Sequence, residues 1–278
     1  MTDDSVDRKT ADAFAASWND LPAGSVYTRA QFTDWFDPVT PDDLRGRRVL
    51  ELGFGNGSLL HHVAGCAPAV LTGVELGDTA GVTRANIPAS YAGELTLIHG
   101  DLTRVDAGLH DVVYCIGVIH HLDEPVEGFR AVLRHVADGG CFHCWVYARE
   151  GNALVIALVD PLRRVASRLH WRVTKWGIAL PLAFPFFVAA KATAALVNIR
   201  PSLRNVLPLA DYFCWIAKRE FAFFHHVAFD QLVTPTTRYI GRDTIDAWLG
   251  SSGIEQHSTY VIFRNGNSWK FGGRRKVE

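Results

Sequence analysis

A glycine-rich stretch between positions 48 and 60 carries the clearest chemical signal in this sequence. It reads Arg-Val-Leu-Glu-Leu-Gly-Phe-Gly-Asn-Gly-Ser-Leu-Leu. Its apolar first half predicts a short buried strand, and Gly53, Gly55 and Gly57 predict a tight turn. Ser58 is a residue type that caps helices, so a helix is predicted to follow. Such a strand, turn and helix form a cradle for a nucleotide-like ligand, which the absence of a Cβ lets approach the backbone.

The glycine spacing narrows the class of ligand. A dinucleotide site would read G-x-G-x-x-G, whereas here the third glycine, Gly57, comes one residue early and Ser58 takes the expected place. Glu51 lies two residues before the first glycine. A carboxylate there would repel a diphosphate but not a cationic cofactor. The pattern therefore disfavours a nicotinamide-dependent oxidoreductase, which stays open as an alternative.

Strands and helices alternate regularly after this stretch. Further strands are predicted over residues 70–76, 95–99, 111–116 and 139–147, with the clearest helix over 126–136. This alternation predicts an α/β fold with a doubly wound, mostly parallel sheet. Ligands bind at the carboxyl ends of such strands. An acid stands at two of those ends, since Glu75 closes the second strand and Asp101 follows the third.

The motifs resemble those of the class I S-adenosylmethionine (SAM)-dependent methyltransferases. Glu51, Gly53, Gly55 and Gly57 match the E/D-x-G-x-G-x-G motif position by position. Residues 115–125 are similar to the segment after the fourth strand in the small-molecule branch, which includes quinone-biosynthesis enzymes. The resemblance covers residues 45–148. It implies a Rossmann-like sheet that ends in an antiparallel hairpin, SAM as cofactor, and a small or amphipathic acceptor methylated at a hydroxyl oxygen.

The resemblance also implies roles for individual residues. Glu75 is expected to bind the ribose hydroxyls, Asp101 to recognise the adenine amino group, and Tyr27 to cover the cofactor from a segment before the core. The expected cofactor-binding residues are Glu51, Gly53, Phe54, Gly55, Gly57, Glu75, Leu76, Asp101, Leu102, Cys115 and Tyr27.

Candidate catalytic residues are those that could accept a proton from the acceptor. A base is needed only where the acceptor loses a proton, as a hydroxyl does. His120 and His121 follow the fourth predicted strand, and histidine suits general-base catalysis near neutral pH. Asp230, in a segment resembling an acceptor-side element of related chains, is a third candidate. Helix-start packing is the alternative reading of the two histidines.

Three further regions flank the core of residues 45–148. Residues 1–44 predict a helical cap, and residues 241–278 predict the last helix and a hairpin turning at 264–267. Residues 149–240 predict a helical insertion, read as a lid over the acceptor site. Residues 151–220 hold ten Lys/Arg and three Asp/Glu, a net +7.

The insertion also contains an uncharged run over residues 176–190. Pro181 and Pro185 are expected to interrupt it, so no membrane-spanning helix is predicted. Contact with a membrane surface, or with a lipid-linked acceptor, is left open.

Composition excludes several other classes of protein. Of the 278 residues, 48% are hydrophobic and 21% charged, which predicts a folded chain. A net charge of −1 gives no general attraction to nucleic acid. Five scattered cysteines predict neither a disulfide framework nor a metal site. The polar N-terminus lacks the features of a signal peptide, so a cytoplasmic location is expected. A non-catalytic SAM-binding or membrane-associated protein is a further alternative, and the sequence predicts neither the acceptor nor the oligomeric state.

Overall fold

A computed structural model of the chain describes residues 4–21, 24–251 and 253–277. Seven strands in these ranges form one sheet. They are β1 (Arg48–Leu52), β2 (Val70–Glu75), β3 (Glu94–His99), β4 (His110–Ile116), β5 (Val136–Tyr147), β6 (Ile254–Arg264) and β7 (Ser268–Arg275). Their order across the sheet is β3-β2-β1-β4-β5-β7-β6.

The α-helices lie between the strands and in a long segment after β5. They are α1 (Asp4–Asn19), α2 (Arg29–Phe36), α3 (Pro41–Leu44), α4 (Ser58–Ala64), α5 (Ala80–Asn86), α6 (Pro125–Arg134), α7 (Ala153–Ala166), α8 (Leu180–Ile199), α9 (Ala210–Ile216), α10 (Phe221–Val233) and α11 (Arg242–Leu249). Short 3₁₀ turns at Ile119–His121 and Pro201–Asn205 and a π-helical segment at Val173–Ala179 complete the elements.

The parallel half of the sheet is centred on β1. It pairs with β2 on one side and with β4 on the other, so that Glu51 lies opposite Gly73 and Tyr114. Val49 and Leu50 are fully buried, as expected for a strand covered by helices on both faces. Because the chain winds outward from β1 in both directions, the carboxyl end of β1 is the topological switch point where ligands bind.

The last two strands form the predicted antiparallel hairpin. Its turn places Asn265 at φ 51° and Gly266 at φ 68°, which are the positive φ values that a two-residue hairpin turn requires. The Rossmann-like α/β fold predicted from the sequence is confirmed. The bounds of β2, β3 and β4 differ from the predicted ones by one residue, and α6 ends at Arg134 and not at 136. The largest difference is in β5, which begins at Val136 and not at 139. A register shift in β4 lets His110 pair with Val136, which extends the strand backward.

The chain divides into two compact units. The first takes in the described residues up to Val146, together with Asp243–Ile262 and the described residues from Lys270 onward. The second comprises Tyr147–Arg242 and Phe263–Trp269. Its bounds lie near those predicted for the insertion, 149–240, whose role as a lid stays a prediction.

The second unit contains one continuous helix from Val173 to Ile199. The prediction that Pro181 and Pro185 interrupt this segment is wrong. The π-helical turns of Val173–Ala179 lead directly into α8, where Pro181 lies in the first turn. Proline is tolerated in the first turn of a helix, and α8 also continues through Pro185, which lies in its interior. The helix is long and apolar enough to cross a membrane by length and composition.

A buried histidine ties three elements of the first unit together. His143 on β5 donates its Nε2–H to the carbonyl oxygen of Trp35 on α2, at 2.8 Å. Its Nδ1 accepts from the hydroxyl of Tyr260 on β6, at 2.6 Å. Burial lowers the pKa of His143 to about 4, because the charged form is poorly solvated there.

We expect this histidine to make the fold sensitive to acid. A histidine with a depressed pKa in the folded state stabilises the protein above its unfolded pKa, about 6.5. That contribution is lost as the pH falls from about 6.5 toward about 4. Urea unfolding at pH 7, 5.5 and 4.5 should therefore show a steeper loss of stability in the wild type than in His143→Gln, which is uncharged throughout. Equal pH dependence in the two proteins would contradict this assignment.

Candidate active site

The loop after β1 has a backbone that only glycine can adopt. Gly53 has φ 84°, and a Cβ at this residue would lie 2.2 Å from Cγ2 of Val118. Gly57 has φ 77°, and its Cβ would lie 2.6 Å from Cγ2 of Thr83. Both the left-handed conformation and the close neighbours exclude a larger residue. The loop is thus packed between the segment after β4 and helix α5.

Asparagine side chains fix the rest of this loop. The Asn56 amide donates to the carbonyl oxygen of Ser25 at 2.9 Å, and the Asn86 amide donates to the carbonyl oxygen of Asn56 at 2.9 Å. Ser58 does not cap α4 as predicted. The cap position is Gly57, and the Ser58 hydroxyl instead donates to Oδ1 of Asn56 at 2.6 Å. The sequence analysis missed this network, because amides far apart in the chain carry no local pattern.

Glu75, at the end of β2, accepts hydrogen bonds from two turns of the site. Its Oε2 accepts from the backbone N–H of Gly55 at 2.9 Å, and its Oε1 accepts from that of Gly77 at 3.0 Å. Burial raises the pKa of Glu75, while the backbone donors act in the opposite direction. Each carboxylate oxygen keeps further acceptor capacity. Contact with a ribose stays a prediction, and Leu76 beside it is partly exposed.

Glu51 is buried beside the same loop and is largely protonated at neutral pH. Burial raises its pKa to about 8, although the Tyr114 hydroxyl, which donates to Oε2 at 2.8 Å, opposes the shift. The nearby Glu75 carboxylate raises it further. The raised pKa weakens the repulsion of a diphosphate that the sequence predicts for Glu51, and that repulsion stays a prediction. A cation near Glu51 would favour its ionised form.

Asp101 shapes the turn that follows β3. Its Oδ1 accepts from the backbone N–H and the hydroxyl of Thr103, at 2.8 and 2.7 Å, and Oδ2 lies 3.3 Å from Nε of Arg104. Leu102 is buried beside it, and the Arg134 guanidinium donates to the Leu102 carbonyl oxygen at 3.3 Å. The turn is well anchored at a strand end, as predicted. Recognition of adenine by Asp101 stays a prediction.

Two predicted cofactor contacts have their side chains in the core. The Phe54 ring packs so closely on β2 that a Cβ at Gly73 would lie 2.6 Å from it. Cys115 is fully buried on β4, opposite Cys144 on β5, and burial raises the pKa of its thiol. These two side chains fill space between the sheet and the helices. Contact of Phe54 and Cys115 with the cofactor stays a prediction.

Helix α1 packs against the cradle. The Trp18 ring lies against Gly55, where an added Cβ would be 3.0 Å from its Cη2 and 3.2 Å from its Cζ2 and Cζ3 carbons. The Ala11 carbonyl oxygen and the Ala15 methyl group lie equally near Gly77. The Tyr27 ring makes an edge contact with Trp35, their centroids 4.8 Å apart. Cover of the cofactor by Tyr27 stays a prediction.

The 3₁₀ turn after β4 brings both predicted histidines to the cradle. Val118, two residues before His120, lies against Gly53. The His120 and His121 rings are 4.2 Å apart, and His120 is fully buried while His121 is partly exposed. Trp145 on β5 makes an edge contact with His120 at 5.7 Å.

Two further aromatic residues extend this wall. Phe14 on α1 lies 6.3 Å from His121, and Trp35 lies 6.4 Å from Trp145, measured between ring centroids. The histidines therefore stand in an aromatic wall at the carboxyl ends of the strands.

Asp230 lies in the second unit, on α10. Its Oδ2 accepts from the hydroxyl of Tyr147 at 3.2 Å. Burial raises the pKa of Asp230 to about 6, while the Tyr147 hydroxyl lowers it. A carboxyl group with this pKa is a competent base at neutral pH. Its role in the reaction stays a prediction.

Comparisons with known proteins agree with this site. Residues 50–142 match the family model described as a methyltransferase domain. Those residues contain the glycine loop, both strand-end acids and the paired histidines. The chain therefore contains a methyltransferase domain of the class I SAM-dependent type, and SAM is the cofactor of this domain. Among the described residues, no group of three or more His, Cys, Asp or Glu could hold a metal ion.

The relatives with known names are similar over part of the chain. A ubiquinone biosynthesis O-methyltransferase of Paracidovorax citrulli is 29% identical over 45% of this chain and 53% of its own length. One of Vibrio campbellii is 32% identical over 46% of this chain and 57% of its own length. The chain thus spans about half the length of these curated relatives. An O-methyltransferase family protein of Burkholderia thailandensis shares the fold, with a TM-score of 0.54 at 14% identity over 90% of this chain and 57% of that one.

We expect substitutions of Glu75 and of the glycine loop that it contacts to weaken SAM binding. Glu75→Ala removes the acceptor of two backbone N–H groups and a hydrogen-bonding partner for the cofactor, each charge-assisted bond contributing about 1.5–3 kcal/mol. Affinity should fall about tenfold or more, and Gly55→Val should do the same by crowding Trp18. Isothermal titration calorimetry measures both. Glu94→Gln, at an exposed position on β3, is the matched control. Unchanged affinity in both cradle variants would place the cofactor elsewhere.

Binding of the cationic cofactor should also release a proton from Glu51. With a pKa of about 8, Glu51 is mostly protonated at pH 7. A positive charge seated on the cradle lowers that pKa, so up to one proton leaves for each SAM bound. Titrations at pH 7 in phosphate and in Tris, whose ionisation enthalpies differ, should give different apparent enthalpies for the wild type. The two buffers should agree for Glu51→Gln. Identical wild-type enthalpies would show that Glu51 does not couple to binding.

Proposed function

We propose that this chain transfers the methyl group of SAM to a hydroxyl oxygen of a small or amphipathic aromatic molecule. The observation that carries the proposal is the contact of Val118 with Gly53. It joins the histidine-bearing turn after β4 to the glycine cradle, so that a general base and the cofactor site share one edge of the sheet. The methyltransferase domain match over residues 50–142 supports the methyl transfer itself.

The chemistry of the cofactor determines what the residues of the chain must contribute to the reaction. SAM brings a methyl group already activated on a sulfonium. The residues of the chain bind the cofactor, orient the acceptor and exclude water. Proximity and orientation of this kind contribute up to about 7–11 kcal/mol to lowering the barrier. The covering helix α1 and the buried floor of the site suit that role.

His121 is the better candidate for the base. A hydroxyl acceptor must lose its proton as the new bond forms, and the base must lie within hydrogen-bonding reach of that hydroxyl. His121 is partly exposed, whereas His120 is fully buried behind it at 4.2 Å. We therefore assign proton abstraction to His121 and positioning of that ring to His120. Asp230 is the alternative base.

The aromatic wall supports a flat, apolar acceptor. Trp145, Trp35 and Phe14 present rings that stack favourably on another ring. The similar proteins from Paracidovorax citrulli and Vibrio campbellii are named for O-methylation in ubiquinone biosynthesis. A phenolic hydroxyl on an amphipathic ring fits both observations. A nicotinamide-dependent oxidation gains no support from the comparisons.

Histidine substitutions test the proposal. His121→Ala should lower turnover about 10²–10⁴-fold, the usual contribution of a general base. Its SAM affinity should stay unchanged, because the ring does not belong to the glycine cradle. The measurement is release of S-adenosylhomocysteine against a panel of catechols and hydroquinones. His135→Ala is unsuitable as a control because that ring is buried and hydrogen-bonded, so exposed His257→Ala is used.

The same assay decides between the two candidate bases. Near-normal turnover in both His121→Ala and His120→Ala would remove the histidines from the mechanism. Loss of turnover in Asp230→Asn alone would then assign the proton to Asp230. Activity dependent on that carboxylate should rise as the pH passes through about 6, the pKa of Asp230. No methylated product from any hydroxylated aromatic would overturn the acceptor class.

A further inference from the structure

The long helix of the second unit packs through its small residues. Within Val173–Ile199, Ala179, Ala183 and Ala190 are fully buried. Ala183 and Ala190 belong to a cluster with Phe224 of α10. Alanine on the inner side lets helices approach closely. Such small residues at helix contacts are typical of helices that face lipid on their other side.

The other side of this helix carries large apolar residues in solvent. Trp176 is 53% exposed, Phe184 64%, Val188 49% and Ile199 82%. Only 11% of the most apolar 18-residue window is buried. Water disfavours this arrangement, in which alanines are inside and larger side chains outside. An exposed apolar patch of this extent marks an interaction surface.

Helix α7 shows a second apolar stripe with arginines beside it. Leu158 and Val165 are 65% and 60% exposed. They lie seven residues apart, so they share one face of the helix. Arg164 and Arg168 are also exposed. A helix with an apolar stripe flanked by arginines is typical of elements that lie in a membrane interface. We call these exposed residues of α7 and of Val173–Ile199 the apolar face.

Charge identifies the partner of the apolar face. Residues 151–220 hold ten Lys/Arg and three Asp/Glu, and two of the acids, Asp160 and Asp211, pair with Arg163 and Arg204. The remaining excess is positive, so an anionic partner is favoured. A second copy of the chain would bring the same positive charge to its own apolar face, and the two would repel. An apolar surface that is also anionic is a bilayer containing acidic lipids.

Helix lengths favour docking on the bilayer over crossing it. The long helix packs against α9 and α10, so these would have to enter the bilayer with it. A span needs about 20 apolar residues, whereas α9 and α10 have 7 and 13. The exposed Lys191, in the middle of the helix, also favours a position near the head groups.

We propose that the apolar face docks the second unit onto the surface of an anionic lipid bilayer. This goes beyond methyl transfer and does not depend on it. Apolar side chains enter the acyl boundary while the arginines contact acidic head groups. Docking of this kind would hold the chain where amphipathic acceptors dissolve.

Vesicle flotation with the full chain tests the proposal. The probes are vesicles of phosphatidylcholine alone and of phosphatidylcholine with 30% phosphatidylglycerol. We expect co-flotation with the anionic vesicles at low salt, and weaker co-flotation at high salt. Leu158→Ser with Phe184→Ser should lower the partition coefficient at least tenfold. Arg164→Glu with Arg168→Glu should lower it about fivefold or more for each charge, from ~1 kcal/mol per basic residue.

Matched controls separate docking from damage to the fold. Leu109→Ser removes an apolar side chain that is 51% exposed in the first unit, and Arg45→Glu with Lys276→Glu reverses two exposed charges there. Both controls should float like the wild type, and all variants should keep wild-type SAM affinity. No co-flotation at low salt, or equal loss in the controls, would overturn the proposal. Release from a dimer by Leu158→Ser with Phe184→Ser would assign the face to a second copy instead. Resistance to high salt and alkaline washing would indicate a spanning helix and overturn surface docking.

Discussion

The site depends on one buried carboxylate that bridges two turns of backbone. Glu75 accepts from Gly55 in the loop after β1 and from Gly77 in the loop after β2. These loops belong to neighbouring parallel strands, so the carboxylate fixes the separation of the two strand ends. A buried carboxylate is costly unless donors surround it. The backbone N–H groups offset that cost only while both glycine turns keep their conformation. A change in either turn would leave the Glu75 carboxylate without a donor and would therefore destabilise this part of the fold.

The charge of the two acids beside the glycine loop differs from what the sequence alone suggests. Two acids, Glu51 and Glu75, face the glycine loop, and burial raises the pKa of each. Glu51 in particular, with a pKa of about 8, is not a fixed negative charge at neutral pH. A cationic ligand beside Glu51 would favour its ionised form, whereas a diphosphate would oppose ionisation.

The sequence predicted those features that follow from local pattern. The glycine loop, the strand-end acids and the final hairpin are each encoded by neighbouring residues, and the sheet follows from their alternation. Contacts between segments that are distant in the chain could not be predicted from the sequence. Trp18 covers Gly55, Asn86 binds the backbone of Asn56, and Phe54 turns into the core. The effect of Pro181 also depends on its context, because it directly follows π-helical turns in the first turn of α8. Nothing in the structure explains why the helix continues through Pro185.

The position of α1 has a kinetic consequence. Trp18 and Ala15 touch the two glycine turns that form the cradle, yet α1 is held by side-chain packing and not by the hydrogen bonds of the sheet. Phe14, Ala15 and Ser17 of α1 are buried, so moving this helix away would expose apolar surface to water. Where entry of SAM or departure of the demethylated product requires such a movement, its rate would contribute to the overall rate of turnover together with the methyl transfer.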